Sequence, residues 1–190
     1  MLKNQNENVT KILVSQEEIE QITSRLAAQI SKDYENDPRQ VVLLIILKGS
    51  VPFAADLMRK LTIPVQLEFM KVSSYGASTK SSGEIKIHLD LNRNDLENLD
   101  IIIIEDIIDT GRTLNRLTQL LKNRNAHSVK TCTMLDKPSR REVDFTPDYV
   151  GVQIPDEFVV GFGLDYNEEY RSLPYVGVLD PKQYAHPNEL

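Results

Sequence analysis

Three carboxylates, a glycine and two threonines crowd the segment IIIIEDIIDTGRT (101–113), where Glu105, Asp106, Asp109, Thr110, Gly111, Arg112 and Thr113 follow four isoleucines. A short Thr-Gly turn leading into a helix leaves backbone N–H groups free, and the helix dipole adds positive potential, so the turn attracts an anion such as phosphate. Gly111 lets the backbone close around the anion, and Thr110 and Thr113 bring hydroxyl donors. The G-x-x-x-x-G-K-[ST] spacing of a nucleoside-triphosphate loop is missing, so this is a different phosphate cradle. The carboxylates need another partner, because phosphate repels them. The cis-diol of a ribose suits Glu105 and Asp106, and so does a magnesium ion held partly through water. Asp109, nearer the cradle, can exchange a proton with a bound base. Diol, phosphate and metal together describe a phosphorylated ribose.

The acids must be carried by the elements around them. VVLLIIL (41–47) and the isoleucine run are apolar on both faces, as in central strands of a parallel sheet covered by helices. SQEEIEQITSRLAAQISKDY opens with the capping pair Ser15 and Glu18 and repeats Ile19, Ile22, Leu26 and Ile30 on one helical face. Pro52 opens a second helix to about Leu61, and RTLNRLTQLLKN sets Leu114, Leu117 and Leu121 on one face of a third. PVQLEFMKV reads as a strand, and IKIHLDL alternates as a half-exposed, antiparallel one. Further strands are predicted around 129–135, 149–154, 158–161 and 175–179. The alternation predicts an α/β fold, a twisted and mainly parallel sheet flanked by helices, with a smaller hood from the chain ends. Ligands of such sheets bind beyond the carboxyl ends of the strands, where the acids lie.

Bulk properties narrow the class. With 190 residues, 41% hydrophobic and 26% charged, the chain suits one well-cored domain, 1–190. Its 22 basic and 28 acidic residues give a net charge of −6, against a general nucleic-acid binder. A single cysteine, Cys132, in SVKTCTML fits a buried thiol in a reducing compartment. The first residues lack an apolar signal core, and VVLLIIL is too short to span a bilayer, so no membrane partner and a cytoplasmic location are expected. Two other readings of the acids are weaker. A helix cap explains one acid rather than three. A phospho-acceptor receiver domain needs an acidic pair after its first strand, where this chain has Leu47-Lys48-Gly49.

On residues 101–113 the chain resembles the type I phosphoribosyltransferases at their phosphoribosyl-diphosphate motif, and the EDIIDTG form resembles their hypoxanthine-guanine branch. LKGS (47–50), SSYG (73–76), LDKP (135–138) and FVVGFGLDYNEEYR (158–171) match in the same order, and the resemblance runs from Ile12 to Tyr184. It implies transfer of a 5-phosphoribosyl group from phosphoribosyl diphosphate to a 6-oxopurine, giving a nucleotide and pyrophosphate, with Mg²⁺ as cofactor. It implies that Asp109 to Thr113 hold the 5′-phosphate, that Glu105 and Asp106 meet the ribose hydroxyls and metal, and that Asp109 is the catalytic acid/base. Lys48 and Gly49 resemble the pyrophosphate loop, in which the Leu47–Lys48 peptide is often cis. By the same resemblance Lys137 donates to the purine 6-oxo group, Phe158 stacks on the base and the Val159 backbone reads its edge. Asp165 is implied to ligate a second Mg²⁺ and Arg171 to grip pyrophosphate.

SSYGASTKSSGE (73–84) has no large aliphatic side chain to bury, and an oxocarbenium centre must be kept from water. The stretch resembles the family's lid, with Ser74 and Tyr75 closing on the substrate. Pro52 departs from the family pattern at a tolerated helix start, and Arg112 stands where lysine also occurs. The resemblance further implies a homodimer or homotetramer. Regulators on the same fold, which sense nucleotide and bind nucleic acid, commonly lose catalytic residues, whereas Asp109, Lys137 and Asp165 are all present here.

Overall fold

A computed structural model describes residues 5–74 and 85–184. The Ser15 capping box forms as read: the Ser15 hydroxyl accepts from the Glu18 N–H at 3.2 Å, and Glu18 accepts from the Ser15 N–H at 2.7 Å. It starts α1 (Gln16–Tyr34), whose buried face includes Ile19, Leu26 and Ile30. The chain continues through β2 (Gln40–Ile46), α2 (Val51–Met58), β3 (Val65–Ser74), β4 (Ile85–Leu89), β5 (Leu99–Ile108), α3 (Arg112–Asn123), β6 (Ser128–Asp136) and β7 (Tyr149–Gln153), with β1 (Val9–Val14) ahead of α1. A second group comprises β8 (Val159–Val160) and β9 (Val176–Leu179).

Six strands form the main sheet in the order β4-β3-β2-β5-β6-β7. All neighbours are parallel except β3 and β4, the antiparallel pair read from the alternation of IKIHLDL. The position of β5 between β2 and β6 explains its isoleucines. Ile102 and Ile104 face a core shared with Leu26 and Ile30 of α1 and Phe53 and Leu57 of α2. Ile101 and Ile103 face the other way, into a core with Leu114, Leu117 and Leu121 of α3. Both faces are covered, so period-two alternation is invisible in the sequence. Each fully buried isoleucine contributes roughly 1.5–3 kcal/mol of burial free energy.

Three differences from the sequence reading have local causes. α2 stops at Met58 rather than near Leu61, because Lys60 N–H turns to the Leu57 carbonyl three residues back, at 3.0 Å. β3 runs on through Ser73 and Ser74, paired with Lys86 and Ile85 of β4, so the strand claims the first two residues of the expected lid. The remainder of that lid, including Tyr75, and the Ser74 side chain lie outside the described residues. β8 and β9 leave the main sheet: with β1 they make a three-stranded antiparallel sheet, order β1-β9-β8, to which the N-terminal strand VTKILV contributes unforeseen. Among the described residues no helix is long and apolar enough to cross a membrane.

Candidate active site

Because β2, β5 and β6 are parallel, the turns after Ile46, Ile108 and Asp136 emerge at one edge of the sheet. This brings Lys48, Asp109–Thr113 and Lys137 together from three distant stretches of sequence. Glu105, Leu47, Ser73, Asp109, Thr110, Gly111 and Thr113 help to line a cavity of about 340 Å³ there.

The Thr-Gly turn lies, as expected, between strand and helix. Gly111 has φ +78 at the N-cap of α3 and offers no side chain to the helix N–H groups, of which that of Arg112 is taken by Thr110. A Cβ at Gly111 would also lie 2.9 Å from Arg141 Cδ. Thr110 Oγ1 accepts from the Arg112 N–H at 3.3 Å, while the Arg112 side chain turns away to Glu142, Nε to Oε2 2.7 Å.

Glu105 and Asp106 sit at the end of β5 with restricted access to water. Burial, reinforced by the neighbouring Asp106 charge, pushes the Glu105 carboxyl well above the usual carboxylate range. Burial also raises Asp106, opposed in part by a hydrogen bond with the Glu105 side chain, by its bond from the Ile107 N–H at 2.7 Å and by the charge of Arg171. Glu105 Oε2 is buried without a hydrogen-bond partner. A cation or a hydroxyl donor there would relieve both carboxylates. Gly49 packs directly over Asp106: a Cβ at Gly49 would fall 1.5 Å from Asp106 Oδ2. The Leu47–Lys48 peptide that precedes it is cis.

Asp109 stands between two cations, its Oδ1 3.9 Å from Lys137 Nζ and 3.6 Å from Arg140 Nε. That oxygen is buried and has no hydrogen bond. The Lys137 side chain is 8% exposed, although a lone lysine after a strand is ordinarily solvated. Its ammonium donates to the Glu157 carbonyl at 2.7 Å, next to Phe158, and keeps two further protons for other acceptors. Phe158 is 40% exposed; it stacks on Tyr184 with ring centroids 4.7 Å apart and meets Tyr166 edge-on at 5.8 Å. Val159 is buried in β8.

Asp165 and Arg171 pair with each other, Oδ1 to Nη2 2.9 Å, and Arg171 also donates to the Gly163 carbonyl at 2.7 Å. Gly163, at φ +98, lies against Gly49, where a Cβ would come 1.9 Å from the Gly49 carbonyl oxygen. The 158–171 block thereby reaches the Lys48 loop. Among the described residues no three acids stand together as a ready metal cluster, so Asp165 does not join Glu105 and Asp106 in one.

Three site residues escaped the sequence reading. Arg141 donates to the Asp109 carbonyl at 2.5 Å and pairs with the buried Asp136, fixing the turn from below. Arg140 faces Asp109, and Glu168 bridges Lys48 and Arg171. The pair of arginines three and four residues after Lys137 was the available signal.

This edge brings together the Gly111 start of α3, the acids behind it and cations on both sides, the groups that the sequence reading assigned to a phosphorylated ribose. The phosphoribosyl transferase domain matches residues 9–167, and the chain belongs to that family. Its relatives include the hypoxanthine-guanine phosphoribosyltransferase of Streptococcus mutans, 51% identical over 94% of this chain and 98% of the other, and that of Staphylococcus aureus at 46% with the same coverage. A crystal structure of hypoxanthine phosphoribosyltransferase from Staphylococcus aureus superposes with a TM-score of 0.91 at 45% identity, covering 98% of this chain and all of the other. A ternary substrates complex of a mutant hypoxanthine phosphoribosyltransferase from Trypanosoma cruzi reaches 0.88 at 41% identity, covering 94% of this chain and 100% of the other.

Proposed function

We propose that the protein transfers the 5-phosphoribosyl group of phosphoribosyl diphosphate to hypoxanthine or guanine, yielding the nucleoside monophosphate and pyrophosphate. The observation that carries the reading is a single juxtaposition: the Gly111 start of α3, Asp109 and the buried Lys137, with 3.9 Å between carboxylate and ammonium. The cradle 109–113 takes the 5′-phosphate through backbone N–H groups, and Glu105 and Asp106 orient the ribose. Lys48 and Arg171 receive the diphosphate.

In the transfer, the bond from the anomeric carbon to the diphosphate oxygen breaks and a purine ring nitrogen forms the new bond. The ribose passes through an oxocarbenium-like state, whose positive charge favours the ionised form of Glu105 and Asp106 and is stabilised by it in turn. Asp109 exchanges the proton on the purine ring, a contribution of about 10²–10⁴-fold. Lys137 offers only donors, so it suits a 6-oxo group and opposes adenine's amino group. Phe158 supplies a stacking face.

The donor set fits magnesium. Glu105, Asp106 and Asp165 offer hard carboxylate oxygens, and the partnerless Glu105 Oε2 is one that a cation would satisfy. The lack of a three-acid cluster among the described residues suits an ion that keeps waters and shares substrate phosphates. Bound there, Mg²⁺ would lessen the negative charge of the departing pyrophosphate. The proposal includes a cytoplasmic setting, which the buried Cys132 thiol suits, and self-association of the chain.

The test is an ultraviolet absorbance assay with phosphoribosyl diphosphate, Mg²⁺ and, separately, hypoxanthine, guanine, xanthine and adenine, with pyrophosphate release read in parallel. Turnover of hypoxanthine or guanine without adenine is expected. Rapid use of adenine would overturn the role of Lys137. Absence of turnover with every base, in folded protein that binds phosphoribosyl diphosphate, would overturn the enzymatic reading.

A further inference from the structure

Residues Tyr166–Glu169 form a tight turn in which Tyr166 N–H bonds to the Glu169 carbonyl at 3.3 Å and Glu169 N–H to the Tyr166 carbonyl at 3.0 Å. Its two central residues, Asn167 at φ 52 and Glu168 at φ 65, are both left-handed. Asn-Gly is the favoured pair for such a turn. Here glutamate stands where glycine would be relaxed.

That side chain reaches across the site. Both Glu168 carboxylate oxygens accept from Lys48 Nζ at 3.0 Å, and Oε2 also accepts from Arg171 Nη2 at 3.2 Å. The pairing holds the Glu168 carboxyl below the usual carboxylate range. Arg171 Nε is buried without a hydrogen-bond partner, so the guanidinium has donor capacity unused by Glu168, Asp165 or the Gly163 carbonyl. The Glu168 N–H meanwhile bonds to Asp165 Oδ2 at 2.9 Å, which anchors the turn beside the same cations.

Lys48 and Arg171 are the cations that the proposed function gives to the diphosphate, and the inference rests on that reading. Two anions then require the same N–H donors. A diphosphate placed on Lys48 and Arg171 would meet the Glu168 carboxylate at like-charge distance, and both cannot stay. Displacement is easy, since the Lys48 and Glu168 side chains are 52% and 64% exposed and ion pairs of that kind are weak.

We propose that Glu168 is a built-in competitor of the pyrophosphate group. Its carboxylate keeps Lys48 and Arg171 in position, gives way to phosphoribosyl diphosphate, and returns as pyrophosphate leaves. The consequence is a lower affinity for the product, paired with a preset geometry for the substrate. Glu168 acts as a positioning residue, because it works through Lys48 and Arg171.

Glu168→Gln tests this, with Glu169→Gln as a control that removes the same charge one residue away. Inorganic pyrophosphate, with Mg²⁺, is titrated calorimetrically and as a product inhibitor of the wild type and both variants. Loss of the competitor should tighten pyrophosphate about threefold to tenfold in Glu168→Gln and lower the KM for phosphoribosyl diphosphate, with the purine KM unchanged. Glu169→Gln should match the wild type. A scaffold role alone would loosen pyrophosphate, which would overturn the proposal. Equal tightening in both variants would trace the effect to net charge and overturn it too. If the wild type and both variants fail to bind pyrophosphate, the assignment of Lys48 and Arg171 fails, and this inference with it.

Discussion

Replacing Gly49 with alanine tests whether the turn at 48–50, to which pyrophosphate is proposed to bind, and the acids of β5 form one machine. The added Cβ would lie 1.5 Å from Asp106 Oδ2 and 2.8 Å from its Cγ, far inside van der Waals contact. Either the Asp106 side chain rotates or the turn at 48–50 retreats by more than an ångström. Rotation breaks the 2.7 Å bond from the Ile107 N–H, a charged hydrogen bond worth about 1.5–3 kcal/mol. At about 2–4 °C per kcal/mol for a chain of this size, the melting temperature should fall roughly 3–12 °C. Activity should suffer more, since a displacement of about 1 Å near reacting groups costs on the order of 100-fold. A useful contrast is Gly151→Ala on β7, where the new Cβ would meet the Met134 carbonyl oxygen at 2.3 Å, away from the acids. That variant should lose stability while its folded fraction keeps its turnover. Calorimetry and steady-state kinetics on both proteins decide the matter. If Gly49→Ala stayed within threefold of wild-type kcat/KM, the packing of this turn against Asp106 would have no part in the chemistry.

Asp109→Asn should lower kcat by about 10²–10⁴-fold with the melting temperature nearly unchanged, because Asp109 Oδ1 forms no hydrogen bond and its ion pairs are long. A loss below tenfold would remove Asp109 from proton transfer. Ile103→Ala, in a fully buried position, should destabilise the protein by about 2–5 kcal/mol in denaturant titration. Stability should also fall with rising pH above the ordinary thiol and phenol values of 9.0 and 10.0, because burial raises Cys132, Tyr34 and Tyr149. The sign follows from linkage: folded-state values above the unfolded ones give stability that is full below pH 9 and lost as the unfolded chain ionises. Thermal melts between pH 7 and 11 check this, and Cys132→Ala should delay the onset.

The sequence alone carried the parts that depend on local chemistry. Apolar runs of β2 and β5, the Ser15–Glu18 capping box, the leucine face of α3 and the Thr-Gly turn each act over a few residues, so pattern and spacing disclose them. The same locality singled out Glu105, Asp106 and Asp109 as candidates for a ribose-and-phosphate site before any family likeness was drawn. Lys137, Asp165 and Arg171 were different: alone they read as surface charges, and only resemblance singled them out. Tertiary structure decided what depends on distant segments. β1 pairs with β9 across most of the chain, which no local signal announces. Lys137 is buried because the turn after β6 packs against the Glu157 carbonyl, and Arg141 matters because its guanidinium reaches the Asp109 carbonyl 32 residues back. Glu168 shows the division most clearly. The sequence shows one acid in a polar turn; the fold sets that acid between Lys48, 120 residues earlier, and Arg171. Charge reads out locally, but the partner of a charge is set by packing.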